Sequence, residues 1–289
     1  MSTWTKPLQK LTEMDEIAVI SMARNDDMFI QKWISYYGNH FGEHNLFLIL
    51  DGMDQKRPSN TNINCLRVPH KKLSRSQGDK NRVQIVSALA KSLFKRYKRV
   101  IACDIDEFLV LDPNIKSTLS EYLLKKSNRA SLSALGIDVG QHIDKEQAID
   151  LKAAFLDQRS FGVIAARYTK PVVAYKPLNW GSGYHRVKWR NYNIDNNLYL
   201  FHFGMVDYKR STGKTEDASR VEQGWTKHLD RRFKIFDDIR ANKAISGDEI
   251  IKSTRTRFQW LRTPYAWNKP RQSKPEAVIQ IPDRFKGTV

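Results

Sequence analysis

Short apolar runs alternate with amphipathic stretches along the chain up to residue 112. Each run is bounded by polar turn residues, which predicts buried strands at about 17–22, 46–50, 63–68 and 99–103. Between them, apolar side chains recur every three or four positions and predict helices over about 27–42 and 78–97. Strands and helices in this order predict an α/β domain with a mostly parallel central sheet.

The periodicity weakens beyond residue 113. A helix is predicted at 118–126, and strands are predicted at 129–138 and 198–206. The segment 179–197 between those strands is rich in Gly, Asn and aromatic residues, as binding loops often are. After residue 208 the chain is charged and helix-like, and it then becomes a proline-containing stretch.

The chain has 289 residues, 40% of them apolar, which describes a globular protein rather than a disordered one. Two cysteines, Cys65 and Cys103, are too few for a disulfide framework and predict a reducing compartment. The N-terminus lacks a leader pattern, and no apolar run approaches the ~18 residues that span a bilayer. We therefore expect a cytoplasmic protein.

The formal net charge is +18, and residues 209–289 alone carry +9. A basic region of this kind could meet nucleic acid, an anionic membrane surface or a phosphate-bearing substrate. The sign of the charge does not choose among the three.

The segment RVIACDIDEFLVL places Asp104, Asp106 and Glu107 directly after an apolar strand. On an extended segment, Asp104 and Asp106 would point to the same side and could share Mg²⁺ or Mn²⁺. Asp51 also follows a predicted strand, and ligands of parallel sheets bind beyond such strand ends. A metal site is therefore predicted here. The alternative is that Asp104 caps a turn while Asp106 and Glu107 face solvent.

Five segments in order resemble the motifs of GT-A-type glycosyltransferases, specifically the bacterial family-two-like branch related to capsule and lipopolysaccharide sugar transferases. They span about residues 17–210 and read ARNDDMFIQKWISYYGNHFG, LILDGMDQ, ACDIDEFLVL, GSGYHRV and LFHFGMVD. The resemblance implies a GT-A (Rossmann-like) nucleotide-sugar-binding domain. Its donor half would be 1–112 and its acceptor half 113–210, with a basic, helix-rich C-terminal region at 211–289.

The resemblance also implies a metal site. Asp104 and Asp106 would contact the cation and the donor diphosphate, with Asp106 as the direct ligand. His202 would be a third ligand of the metal or the diphosphate, and an imidazole suits Mn²⁺ better than Mg²⁺. A packed core histidine is the alternative for His202.

Donor contacts are implied as well. Arg24 and Asp51 would lie near the nucleotide, and His185 would contact the donor or acceptor from its loop. Lys80 and Arg82 are predicted to open the second helix, where positive charge beside a helix N-terminus could hold phosphate. A solvated helix start is the alternative for both.

The implied reaction moves a sugar from a nucleotide-sugar, most simply a UDP-sugar, to a glycan or lipid-linked acceptor in bacterial surface polysaccharide synthesis. The resemblance favours inversion, which needs a carboxylate to deprotonate the acceptor hydroxyl. Asp138 is the first candidate base, ahead of Glu107 and Asp207. The aromatic residues of the loop are candidates for stacking on sugars or for packing: Trp180, Tyr184 and Trp189.

Two other interpretations of the sequence stay open. A phosphatase of the haloacid dehalogenase type also places D-x-D after an apolar strand, but its motif lies near the N-terminus and Phe108 departs from its pattern. A basic nucleic-acid-binding protein would fit the charge, yet the gathered carboxylates would repel phosphate, so no nucleic-acid partner is expected. The basic C-terminal region is a candidate for contact with the anionic inner face of a membrane.

Overall fold

A computed structural model describes residues 15–125, 127–215, 226–272 and 276–289. The strands are β1 (Asp15–Ala23), β2 (Leu46–Asp51), β3 (Asn64–Val68), β4 (Tyr97–Ala102), β5 (Glu107–Leu111), β6 (Ser131–Gly140), β7 (Phe161–Ile164), β8 (Val173–Ala174), β9 (Ile194–Met205), β10 (Ile245–Ser246), β11 (Arg262–Thr263), β12 (Ala266–Pro270) and β13 (Val278–Gln280). The helices are α1 (Asp27–Phe41), α2 (Arg75–Leu93), α3 (Leu119–Leu124), α4 (Phe155–Gln158), α5 (Tyr208–Thr215), α6 (Thr226–Ala241) and α7 (Gly247–Trp260).

Four parallel strands form the N-terminal part of the sheet, in the order β3–β2–β1–β4. Successive side chains of β1 point to opposite faces, so each face is covered by a different helix. Val19 packs in one core cluster with Trp33 of α1, whereas Ile20 packs in another with Val86 of α2. The loops after β1, β2 and β4 therefore converge at the carboxyl edge of this unit.

Antiparallel pairs extend the sheet beyond β4. Strand β8 pairs with β4 and β6, and β7 pairs with β6 and β13. The other edge of β6 pairs in parallel with β9, which pairs antiparallel with β5. Strand β10 lies parallel to β13 at the edge. The sheet thus contains strands from each of the segments 1–112, 113–210 and 211–289.

The predicted α/β class is confirmed, and the predicted strands of the first segment correspond to β1, β2, β3 and β4. The predicted start of the second helix is wrong, because α2 begins at Arg75. Ser74 and Gln77 form a capping box there, in which Gln77 Oε1 accepts hydrogen bonds from Ser74 N at 3.3 Å and Oγ at 2.9 Å. Lys80 and Arg82 consequently lie beyond the first turn of α2.

The described part of the C-terminal segment combines helices with strands. Helix α6 packs Ile235, Phe236 and Ile239 against β7, β9 and β13 through Val163, Met205 and Val278. Strand β13 and Phe285 lie in the main body of the protein, with Phe285 fully buried. In the described ranges no helix is both long and apolar enough to cross a membrane.

Candidate active site

The acidic residues after β4 lie in a turn. The backbone N of Glu107 donates to the carbonyl O of Asp104 at 3.1 Å, and Ile105 between them is buried. The extended geometry predicted for this segment is wrong, because the chain has to turn from β4 into β5. As a result, Asp104 and Asp106 contact different partners.

Asp104 is held between two cations. Its Oδ1 lies 3.0 Å from Arg82 Nη1, and its Oδ2 lies 2.8 Å from Lys170 Nζ. Burial alone would raise the pKa of Asp104, but the charges of Lys170 and Arg82 outweigh it and lower the pKa. Asp104 is therefore kept ionised at neutral pH.

Lys170 also pairs with Glu107, at 2.5 Å from Nζ to Oε1, and the two side chains are 2% and 0% exposed. Burial alone would lower the pKa of Lys170, but Asp104 and Glu107 outweigh it and raise that pKa. Burial raises the pKa of Glu107 to about 7 despite the nearby cation. Glu107 Oε2 accepts a hydrogen bond from the backbone N of Asp104 at 3.2 Å, so this carboxyl group stabilises the turn.

His202 contacts the other two carboxylates of the site, Asp106 and Asp138. It lies opposite Glu107 of β5 and Asp138 of β6 in the sheet register. Its Nδ1 is 2.6 Å from Asp138 Oδ1, its Nε2 is 3.3 Å from Asp106 Oδ2, and its ring stacks on Tyr168 at 3.9 Å between centroids. Burial alone would lower the pKa of His202, but Asp106 and Asp138 outweigh it and raise the pKa.

A further cation reaches this pair from α6. Arg232 Nη2 lies 2.8 Å from His202 Nε2 and 3.9 Å from Asp106 Oδ2. Gly204 lies beside them, and a Cβ there would be 2.6 Å from Asp106 Oδ2 and 2.8 Å from His202 Nε2. The atom nearest to such a Cβ would be Arg232 Nη2, so the absence of a side chain at position 204 makes room for the Arg232 guanidinium beside the carboxylate and the imidazole.

A divalent cation bound by Asp106 and His202 would have to displace Arg232 Nη2, which lies 2.8 Å from His202 Nε2. Two adjacent ligands bonded at about 2.1 Å to a metal are roughly 3 Å apart, close to the 3.3 Å between Asp106 Oδ2 and His202 Nε2. Asp138 behind the imidazole completes the carboxylate–histidine arrangement that is common at metal sites. Both carboxylate oxygens of Asp104 instead contact cationic side chains. No group of three or more His, Cys, Asp or Glu residues among those described could hold a metal.

A cavity opens beside the cluster, between the carboxyl ends of β1 and β2, the loop after β3 and the start of α2. Its polar lining includes Asp51, His70, Ser74, Arg75, Asp79 and Arg82. Asp51 Oδ2 lies 3.0 Å from His70 Nδ1, which fixes both side chains on one wall. Arg82 faces the cavity and also contacts Asp104, so it connects the cavity with the acidic turn.

Arg24 supports the cavity from outside. Its Nη1 donates to the carbonyl O of Asp51 at 2.6 Å, and its guanidinium group pairs with Asp54 at 3.0 Å. The structure thus gives Arg24 a place in shaping the loop after β2, and its predicted contact with a nucleotide stays a prediction.

The remaining predicted residues lie at different depths. His185 is next to the Lys170–Asp104 pair and its Nδ1 is 2.8 Å from the carbonyl O of Arg167. Burial first, and the charge of Lys170 second, lower the pKa of His185 to about 4, so the ring is neutral at pH 7. Lys80 is exposed on the second turn of α2.

Two of the candidate bases are buried with partners. Asp138 is 2% exposed, and its Oδ2 lies 3.5 Å from Arg167 Nη2 while its Oδ1 contacts His202. Asp207 is also 2% exposed and lies 3.6 Å from Arg159 Nη2. Among the loop aromatics, Trp180 and Tyr184 are core residues, whereas Trp189 is 89% exposed.

Sequence patterns do not single out several residues of this site. Lys170, Arg232 and Tyr168 carry no motif, and each reaches the cluster from a loop or helix far away in the chain. His70 follows β3 and could have been found by the rule that ligands gather at strand ends. The other three depend on the fold.

Comparison with protein-family models and with curated proteins finds no match to this chain.

Proposed function

We propose that this protein is a glycosyltransferase that uses a nucleotide-sugar, most simply a UDP-sugar, with Mn²⁺ or Mg²⁺. The observation that carries the proposal is the double position of Arg82, which lines the Asp51 cavity and contacts Asp104 3.0 Å away. A nucleoside in the cavity would have its diphosphate beside Arg82 and the acidic turn. The ends of parallel strands are where such ligands bind in α/β sheets.

The residues of the cavity would bind the donor. Asp51 and His70 offer hydrogen bonds to a base or ribose, and Arg82 offers a planar cation to the diphosphate. Lys170 is almost completely buried between Asp104 and Glu107, so its part is to hold the turn in place. His185, neutral at pH 7, donates from Nδ1 to the carbonyl O of Arg167, so its Nε2 would accept a hydrogen bond near the transferred sugar.

Asp106 and His202 would hold the metal ion, with Asp138 fixing the imidazole through Nδ1. When bound, a divalent ion neutralises the charge that grows on the departing diphosphate. Arg232 contacts both ligands, so its guanidinium would have to shift from His202 Nε2 when the ion binds, and it would then add positive charge beside the ion.

We further propose that Asp138 is a positioning residue and not the base. Both of its oxygens already face His202 and Arg167, and the side chain is 2% exposed. The acceptor, a glycan or a lipid-linked sugar, would approach from the exposed side of Asp106. Whether the sugar's configuration inverts stays an expectation from the resemblance.

Calorimetric titration of UDP, GDP and CMP in Mn²⁺, Mg²⁺ or chelator tests the proposal. We expect metal-dependent binding of one nucleotide by the wild type, weakened at least about tenfold in Asp106→Ala because a charged metal ligand is lost. Asp283→Ala, which removes a carboxylate that is 79% exposed, serves as the control. Failure of all three nucleotides to bind under every metal condition would overturn the nucleotide-sugar proposal.

Asp138→Asn separates a base from a positioning residue. If Asp138 orients His202, metal-dependent nucleotide binding should weaken together with turnover, because the amide can present its NH₂ group to Nδ1 and favour the wrong tautomer. If Asp138 is the base, nucleotide affinity should be unchanged while turnover falls. Product formation and calorimetry on the same preparation distinguish the two outcomes.

A further inference from the structure

Large apolar side chains are exposed together where α7 runs into the β11–β12 hairpin. Trp260 is 73% exposed, Leu261 47%, Tyr265 97% and Trp267 54%. Hydrophobic residues scattered singly over a surface need no explanation, but a group that includes three aromatic rings indicates a binding surface.

The loop that carries Trp189 lies beside the hairpin. Asn268 Nδ2 donates to the carbonyl O of Val187 at 2.9 Å, which fixes this loop against β12. On β12 the side chains of Ala266, Asn268 and Pro270 are buried, whereas Trp267 and Lys269 point the other way. Arg271 N donates to the carbonyl O of Leu261 at 3.0 Å, which closes the hairpin at its base.

The same surface is basic. Residues 250–275 contain seven Lys or Arg and no Asp or Glu, and residues 158–194 also contain no Asp or Glu. Arg186, Lys188, Arg190 and Arg271 are exposed around the aromatic residues. We call Trp189, Trp260, Leu261, Tyr265, Trp267 and these four cations the aromatic–basic surface.

We infer that the aromatic–basic surface docks on an anionic lipid bilayer. Aromatic side chains prefer the boundary between headgroups and acyl chains, while Lys and Arg around them are attracted to anionic headgroups. Tyr265 follows Pro264 at the hairpin tip and is nearly fully exposed, so it can enter a lipid layer without any rearrangement. Leu261 adds an aliphatic side chain, which lipid solvates well and a sugar ring does not stack upon.

Docking at this place would orient the candidate active site. The loop of the aromatic–basic surface also carries His185, whose pKa is lowered in part by the charge of Lys269 on β12. A bilayer beneath the hairpin would thus lie close to the Lys170–Asp104 pair. The inference depends on exposure and charge and holds independently of the proposed reaction.

Vesicle flotation tests the inference with the full-length chain. We expect binding to vesicles of phosphatidylcholine with 30% phosphatidylglycerol and much weaker binding to pure phosphatidylcholine, since each basic residue contributes about a fivefold factor at an anionic surface. Binding should fall at least about tenfold in Tyr265→Ala/Trp267→Ala. Met53→Ala/Leu66→Ala, which removes exposed apolar side chains at 57% and 47%, should bind as the wild type does.

Two double variants that reverse surface charges complete the test. Arg190→Glu/Arg271→Glu should lose vesicle binding, whereas Lys91→Glu/Lys95→Glu, at exposed positions on α2 and just after its end, should keep most of it. Equal loss in both double variants would show attraction by net charge only and would overturn the assigned surface. Retention on heparin with no vesicle binding would assign the surface to an anionic glycan instead. Nucleotide calorimetry on the same variants reports separately on the candidate active site.

Discussion

The pairing of carboxylates with cations decides what the individual residues of the site can do. Asp104 and Glu107 share the buried Lys170, and Asp106 and Asp138 share His202. The sequence identified all four carboxylates, because they follow or lie on apolar strands. It could not divide them into these two sets, since the division depends on a turn at 104–107 and on cations from elsewhere.

Replacing Lys170 with Met should destabilise the protein by about 3 kcal/mol at pH 7, because Asp104 and Glu107 both lose the buried cation that they share. Urea unfolding measures this loss. The double variant Lys170→Met/Glu107→Gln should recover part of the stability, whereas Lys152→Met at an exposed position should change little. A double variant less stable than Lys170→Met would contradict the assigned pair.

His185 should make stability depend on pH. Its pKa is lowered from about 6.5 to about 4 by burial and by Lys170, so the folded state binds fewer protons than the unfolded state in that range. The contribution of the neutral ring is present above pH 6.5 and is lost as pH falls toward 4. The wild type should lose about 2 kcal/mol more between pH 7 and pH 5 than His185→Gln does. Urea unfolding at both pH values measures this difference, with His44→Gln at an exposed position as the control. An equal change in the free energy of unfolding for the wild type and His185→Gln would exclude a contribution of His185 to the pH dependence.

At the scale of elements, β1, β2, β4, β6 and β9 were predictable because each contains a short apolar run, whereas the short strands β7, β8 and β10–β13 were not predicted. The start of α2 was not predictable either, because the segment before Gly78 has no apolar periodicity and depends on the capping box of Ser74 and Gln77. Arg82 therefore lies in the second turn of α2, where its Nη1 donates to Asp104 Oδ1 at 3.0 Å. Arg82 thus links the cavity to the acidic turn from within α2, and its predicted contact with phosphate stays a prediction.

Ser74→Ala should lower the free energy of unfolding by about 1 kcal/mol, since it removes the side-chain half of the capping box. Thermal unfolding followed by circular dichroism measures the change. Ser76→Ala, two residues on and exposed, is the matched control and should be neutral or slightly stabilising because Ala favours a helix. Equal effects of the two substitutions would rule out the cap.

For the molecule as a whole, the sheet combines strands from all three predicted segments. Composition described the C-terminal segment as charged and helix-like, yet part of its apolar minority, including Ile279, Ile281 and Phe285, is buried in the main core. Sequence patterns could not place these residues, because the periodicity of a short apolar run does not identify the strand with which it pairs. The pairing of β13 with β7 is a property of the folded molecule.

Phe285→Ala should destabilise the protein by about 3 kcal/mol. The ring is fully buried and lies 4.8 Å from Tyr199 and 5.1 Å from Phe201 between centroids, so its removal opens a cavity beside β9. Chemical unfolding gives the measurement, with Lys286→Ala, at 54% exposed, as control. A loss below 1 kcal/mol would mean that the C-terminal segment contributes little to the core.

Strand β6 pairs with three other strands, more than any other strand of the described residues does. Every one of its residues is buried, and it has partners along both edges, β7 and β8 on one side and β9 on the other. Its backbone amides therefore have no local route to solvent, because fraying of any single neighbour leaves the opposite edge in place. In a hydrogen–deuterium exchange experiment the amides of β6 should be among the last to exchange. Their rates would then report the opening of the entire molecule.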